Sequence, residues 1–497
     1  MKIFCTCLLL LLLAPTYVAA NNIRVSNVEL VSQANGIATF EYDLAWDNSW
    51  RLSDGPANWD AAYVFFVVSI NDGPFEKIFD YEVTYPTGFV AIDTIGDAPN
   101  LFGPKRFGHM VHRAADGGGT ANMTDVVMEW NYEAGGYDGN SSIDLRVFAT
   151  EMVYVPEGPF TVGNGTEPAF EASFATYSGT TEDTFFSSTR INSNDPIRLF
   201  PTGFLQFGLG FAEGFGGDRT ERTYGEDFPK GFTPFYCMKY EVSQQQWVDF
   251  FNTLNPAQQD ALDVTGPLGK NTNAEQSRNG VSWLPGSAAT TTLPDVPMNY
   301  IPNDFYSTYL QWAGLRPLTE LEYEKAARGP ITPIGGEYAW GNPTIAVTSY
   351  ILQSAGTPAE QISNPSSSFG NASYGQTSGN PLRNGIFAAS APTPSRTVSG
   401  GSYYGIMELS GNLYERAISL GNPSTSTYAG FHGRGELDVD GTLSPYFPIT
   451  DGLAFRGGSF QSFPAELRFA SRRFGTFAGT PSLQSNGIRG VISTGQQ

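Results

Sequence analysis

Between Ala61 and Ser69 the chain reads Ala-Ala-Tyr-Val-Phe-Phe-Val-Val-Ser, apolar almost throughout and without the alternation of a half-exposed strand. A strand of this kind has to be covered on both faces. The flanking sequence predicts an all-β region over residues 21–150. Residues 23–32 and 37–46 alternate polar and apolar side chains around the turn signal Ala34-Asn35-Gly36. Residues 125–131 and 143–150 add two more strands, and the Gly, Asn and Asp breaks between them suggest a β-sandwich. Two segments, Asp47-Asn48-Ser49-Trp50-Arg51 and Asn58-Trp59-Asp60, are dense in carboxylates, amides and indoles. They read either as turns with the tryptophans packed beneath a loop or as a ligand-facing patch. His109 and His112 stand at i, i+3 with no third ligand evident, which reads as a surface or turn pair.

Residues 1–20 read as a secretory signal. Lys2 supplies the positive start, Leu8 to Ala14 a short apolar run, and Val18-Ala19-Ala20 small residues before a cut at Asn21. An uncleaved anchor is the alternative, but the run is too short to span a bilayer comfortably. No later segment is a transmembrane candidate. Removing Lys2 and no acid takes the formal charge from −21 to −22. So acidic a surface repels phosphate backbones and argues against nucleic-acid binding. Cys237 is then the sole cysteine, which excludes an intramolecular disulfide. Export without disulfides suits a bacterial periplasm, cell surface or extracellular setting. Asn122, Asn140, Asn164 and Asn371 lie in N-x-Ser/Thr sequons, which carry weight only on a eukaryotic secretory route.

A second domain is expected over 151–495, interrupted by a Gly-, Ser-, Thr- and Asn-rich insertion at 164–230. Phe235 to Val242 reads as a strand in which Cys237 is a buried, inert thiol. Three helices have clear signals. Ser243 with Gln246 and Thr319 with Glu322 form capping boxes. A third helix starts at Asn303 and ends at Gly314. The aromatics at helical spacing within them read as core.

The motifs in chain order are Tyr240-Glu-Val-Ser243, Trp312-Ala-Gly-Leu-Arg-Pro-Leu-Thr-Glu320, Tyr323-Glu-Lys-Ala-Ala-Arg-Gly329, Tyr338-Ala-Trp-Gly-Asn342, Ser410-Gly-Asn-Leu-Tyr-Glu415 and Arg456-Gly-Gly-Ser-Phe460. Together they resemble the formylglycine-generating enzyme (sulfatase-modifying factor) family. The resemblance implies an α+β, C-type-lectin-like fold for 151–495. It also implies a copper site built from two cysteines just after the Gly-Gly-Ser turn, where this chain has Ser462 and Leu467. Thiolates suit Cu(I); a hydroxyl and an alkyl group do not, so no copper is expected. The histidines of related iron enzymes are also missing, and no nucleophile-elbow motif stands out.

The Ser-Gly-Asn-Leu-Tyr-Glu segment is similar to a calcium loop of the family. The resemblance implies a structural Ca²⁺ held by Glu408, Gly411, Asn412, Leu413 and Glu415; the alternative is a tight turn. The region corresponding to the family's groove carries Phe460, Gln461, Ser462, Phe463, Glu466, Arg468, Arg472, Phe474 and Phe477, an aromatic and charged set suited to recognition. These readings point to a secreted, non-catalytic protein binding a glycan or surface protein. The alternatives are a family enzyme with altered chemistry, or a structural subunit of an envelope secretion or motility complex. Oligomeric state is not encoded legibly.

Overall fold

The computed structural model describes residues 23–96, 105–165, 172–177, 186–200, 205–207, 218–391, 393, 395–443, 446–447, 452–476 and 483–494. The fold is mostly sheet with few helices, an α+β arrangement. The Asp60–Ile70 strand is the organising element, buried along nearly its whole length. Its even-numbered side chains Ala62, Val64, Phe66 and Val68 share one core with Phe40, Tyr42 and Met128. Its odd-numbered side chains Ala61, Tyr63, Phe65 and Val67 share another with Trp247, Phe250 and Trp312. Strand geometry sends alternate residues to opposite faces, so a strand between two apolar cores must be apolar at every position, as this one is.

Two sheets lie on either side of the first core. One has the order Arg24–Ala34, Ile37–Arg51, Gly117–Asn131, Tyr81–Thr84. The first two strands meet at Asn35 and Gly36, both with positive φ (54° and 81°), as a tight right-twisted hairpin requires. The other sheet has seven strands. Its path runs Val491–Ser493, Phe235–Met238, Ile143–Val155, Asp60–Ile70, Lys105–Arg113, Phe89–Gly96, with Phe75–Lys77 on the central strand. The boundary expected between residues 150 and 151 therefore falls inside the Ile143–Val155 strand. N-terminal and C-terminal strands build one continuous sheet there.

The tryptophan-rich segments are neither simple turns nor an open patch. Asp60 is fully buried and accepts from Trp46 Nε1 (3.0 Å), Ser49 Oγ (2.9 Å) and the Trp50 amide (2.9 Å). Lys239, from the C-terminal region, pairs with Asp60 at 3.6 Å and with Glu151 at 2.8 Å. Asn58 donates to Tyr404 O at 2.7 Å, and Trp59 donates to the Tyr236 hydroxyl at 3.1 Å. The segments form a clasp between the two halves of the chain. The histidine pair also differs from expectation. His109 and His112 are buried in the Lys105–Arg113 strand rather than at the surface or in a turn. Three residues apart in a strand they face opposite sides: His109 contacts Tyr81, whereas His112 lies against Trp59.

The three expected helices form at Gln244–Phe251, Asn303–Ala313 and Glu320–Arg328, with both capping boxes closed and Gly314 left-handed at the C-cap. A further short helix, Pro256–Ala261, follows Asn255. Its Asn cap, Pro at the first position and Gln258 at the third were available signals. Within the 164–230 insertion five of the six described strands form a small sheet, and the sixth, Thr189–Ile191, pairs with Phe160–Val162. Phe174 and Phe207 of that sheet stack on the Arg472 guanidinium at 4.5 and 4.1 Å.

The Glu320–Arg328 helix is buried although five of its nine residues carry charge. Glu320 binds Arg456 (3.0 Å) and Arg472 (2.8 Å), and accepts the Leu420 amide (2.8 Å). Glu324 binds Arg456 (2.8 Å) and the Gly163 amide (2.8 Å), and Arg328 binds Glu337 (2.7 Å). Burial alone raises a carboxyl's pKa, but Arg472 and Arg456 outweigh it, so Glu320 sits below its ordinary value. Removing one partner from such a pair leaves a buried charge uncompensated. Glu320→Gln is therefore expected to cost about 3–5 kcal/mol in urea unfolding. Glu29→Gln, on the exposed first strand, should leave the midpoint unchanged.

Candidate functional site

The C-terminal motifs meet beside a three-stranded sheet, Leu318–Thr319, Glu415–Ile418 and Leu453–Arg456. The chain leaves the last strand through Gly457 and Gly458, both at positive φ (78° and 70°). A Cβ on Gly457 would lie 2.6 Å from Leu409 O, and one on Gly458 would lie 2.8 Å from Leu467 Cδ1. The turn therefore needs glycine at both positions, for space as well as for backbone angle. It delivers the Phe460 amide to Asn412 O at 2.7 Å, joining the two motifs the sequence singled out.

Ser462 is buried. Its Oγ lies 2.8 Å from the Tyr414 hydroxyl and accepts the Ser459 amide at 3.0 Å. Tyr414 also reaches Glu466 at 3.3 Å, and Glu466 pairs with Arg473 at 3.4 Å. Leu467 is fully buried among Tyr338, Trp340, Ala372 and Tyr374. A hydrogen-bonded hydroxyl and a packed aliphatic side chain thus stand where the resemblance places two thiols. The remaining described cysteine, Cys237, is buried in the Phe235–Met238 strand, and burial pushes its thiol up to about 12.

Several residues expected on a ligand-facing surface are interior instead. Phe460 is buried, Ser462 is engaged as above, and Arg472 is held by Glu320 and two phenylalanine faces. Phe474 is half-buried, edge-on to Tyr414 at 5.8 Å. Phe477 lies outside the described residues. What reaches solvent is Phe463, 74% exposed, with Gln461 and the half-buried Glu466, Arg468 and Arg473 around it.

The expected calcium loop is closed by protein donors. Asn412, at φ 65°, accepts the Leu382 amide through Oδ1 (2.9 Å) and donates to Glu241 (2.7 Å). Glu241 also accepts the Leu413 amide at 2.8 Å. Glu415 binds Arg489 at 2.7 Å, and Glu408 accepts the Gly385 amide at 2.9 Å. Burial, reinforced by nearby Glu415, drives the Glu241 carboxyl well above its ordinary value. Among the described residues no group of three or more His, Cys, Asp or Glu side chains could hold a metal ion. These donors take up part of the loop's acceptor oxygens; among the described residues Glu408 Oε2 is buried with no hydrogen-bond partner. Glu241 was not singled out from sequence, although it lies within the Tyr240-Glu-Val-Ser motif that was.

A family model described as the sulfatase-modifying factor enzyme 1-like domain matches residues 192–493, more than half of the chain. No curated protein matches it.

The chemistry of Cys237 is directly measurable. In native protein at pH 8 a thiol reagent should leave Cys237 unmodified, and unfolding in guanidinium should expose it to labelling. Mass spectrometry of the peptide containing residue 237 reads both states. Rapid labelling of the native chain would contradict the buried environment.

Proposed function

The chain belongs to the sulfatase-modifying factor enzyme 1-like family, and on that premise we propose that it is a non-catalytic, exported member that binds a glycan or protein ligand at a bacterial envelope or surface. The observation that carries this reading is the occupancy of two positions, Ser462 and Leu467. Oxidation of a substrate cysteine through copper needs soft thiolate ligands. Here one position holds a hydroxyl bound to Tyr414 and the other a side chain sealed against Tyr338 and Trp340. Cys237 sits in a different strand and cannot complete a pair. The proposal of export rests on residues 1–20, and that of a bacterial setting on the absence of a second cysteine after them. In this reading the family domain has a C-type-lectin-like fold, and the two sheets of the N-terminal region serve as a β-sandwich.

The ligand face is the exposed Phe463 with Gln461, Glu466, Arg468 and Arg473. An aromatic face beside planar polar groups suits stacking with forked hydrogen bonds. A glycan array should show binding that weakens at least about tenfold, or roughly 1.4 kcal/mol, in Phe463→Ala. A cysteine-containing peptide should show no conversion to formylglycine. Turnover of that peptide would sink the non-catalytic reading, whereas silence on the array would shift the ligand to a protein.

We also propose that protein donors perform the loop-closing role expected of calcium. The Glu241–Asn412 and Glu415–Arg489 contacts support this. Melting curves in millimolar calcium and in chelator should then coincide. A rise of several degrees with calcium would overturn it.

A further inference from the structure

The Ile143–Val155 strand is paired unequally on its two sides. Toward the central Asp60–Ile70 strand it pairs from Ile143 to Val153. Toward Phe235–Met238 it pairs only from Met152 to Val155. In an antiparallel ladder the N–H and C=O of one residue point to the same side, and successive residues alternate. Tyr154 donates to Trp59 O (2.9 Å), so even-numbered residues face the central strand. Glu151 O accepts from the Lys239 amide (2.9 Å), so odd-numbered residues face the other way. The backbone groups of Leu145, Val147 and Ala149 therefore point away from the central strand. Among the described residues no strand pairs with them.

These three residues line a cleft of about 920 Å³. Val25 and Val28 of the first strand stand on one wall, and Gln246 and Asp249 of the Gln244–Phe251 helix on the other. Unpaired strand edges are usually blunted by proline, lysine, a bulge or a covering element. None of Leu145, Val147 and Ala149 is such a residue, and the register to the central strand is unbroken. The edge is recessed between two walls instead. A flat sheet cannot reach it, but one extended chain can.

We propose that this cleft binds an extended, basic peptide segment of a partner protein. The segment adds as a strand along Leu145–Ala149, in line with Phe235–Met238. Main-chain hydrogen bonds to the three free residues supply the register. Side chains of the added strand alternate between the walls. Those facing the N-terminal sheet meet Val25 and Val28 and are aliphatic. Those facing the helix meet Asp249 and Asp295, and are lysine or arginine. Of the cationic groups nearby, Arg146 pairs with Asp144 (3.0 Å) and also acts on Asp249, Arg383 acts on Asp295, and Arg24 pairs with Asp47 (3.5 Å). The chain's formal charge of −21 favours the same class of partner. This site is separate from the Phe463 face, so either can fail without the other.

The test uses a display library of short random peptides panned on the purified protein and on Ala149→Pro. The Ala149 amide points into the cleft, so proline removes a free donor and obstructs an added strand without breaking the ladder to Asp60–Ile70. Circular dichroism verifies that the variant is folded. Asp249→Lys, on the exposed side of its helix, provides a second variant that keeps the edge intact. Enriched peptides should alternate aliphatic with basic residues, and each variant should weaken them by about tenfold or more. Hydrogen exchange should slow at Val147 and Ala149 in the complex. The proposal is overturned if no peptide is enriched over Ala149→Pro, or if exchange slows only at other sites. It is also overturned if a glycan proves to be the ligand lost in Ala149→Pro. A self-association abolished by Ala149→Pro would assign the edge to a second copy of the chain and overturn it as well.

Discussion

The C-terminal half depends on the ionic ladder along one buried helix. Glu320, Glu324 and Arg328 lie at i, i+4 spacing and point into the protein. An isolated charge there would cost several kcal/mol in lost hydration. Each is tolerable only because a partner arrives from a distant segment: Arg456 from the last strand of the small sheet, Arg472 from the loop beyond the double glycine, Glu337 from the turn after the helix. The ladder thus gathers four stretches of chain that share little regular secondary structure. Such an interior rewards specificity of placement more than gross stability, because an apolar replacement of the whole set could be equally stable. It explains how a loop-rich domain holds one arrangement without disulfides. The insertion contributes too, since Phe174 and Phe207 cover the arginine that the ladder carries nearest its sheet.

The second dependency is the continuous sheet. Because Ile143–Val155 pairs first with the central strand and then with Phe235–Met238, the N-terminal strands are not a bead on a linker. The Asp60–Lys239–Glu151 cluster reinforces the seam: it buries three charges at the point where the sheet passes from one half to the other. Burial pushes the Asp60 carboxyl up, and Lys239 with three hydrogen-bond donors pulls against that. A cluster of this kind is satisfied only when both halves are in register, so it acts as a check on their docking.

Much of this was legible in the sequence wherever the signal was local. The unbroken apolar run announced a doubly covered strand, the capping boxes announced two helices, and Gly314 marked the end of a third. Signals that depend on distant partners were not legible. Arg472 and Phe460 read as recognition chemistry because arginine and phenylalanine beside glutamate look exposed. Glu320, 152 residues earlier, together with the faces of Phe174 and Phe207, makes Arg472 an interior residue. Glu241 passed as part of a motif because nothing local shows that its carboxylate closes a loop around Asn412. His109 and His112 read as a surface or turn pair, and the strand that carries them buries both and sends them to opposite faces.

The open edge has its origin in how the two halves join. The Phe235–Met238 strand is four residues long, whereas the strand it meets has thirteen. The long partner is set by the N-terminal sheet, where the Asp60–Ile70 strand pairs with eleven of its residues. The short one is set by the family domain, where the chain must turn after Met238 to begin the Gln244–Phe251 helix. The mismatch in length leaves backbone groups that neither half can satisfy alone. Solvent can satisfy them at modest cost, because the cleft is open. Ser462 and Leu467 meanwhile each have protein partners, Tyr414 for one and Tyr338 with Trp340 for the other. At the seam between its halves the chain presents a directional array of donors and acceptors.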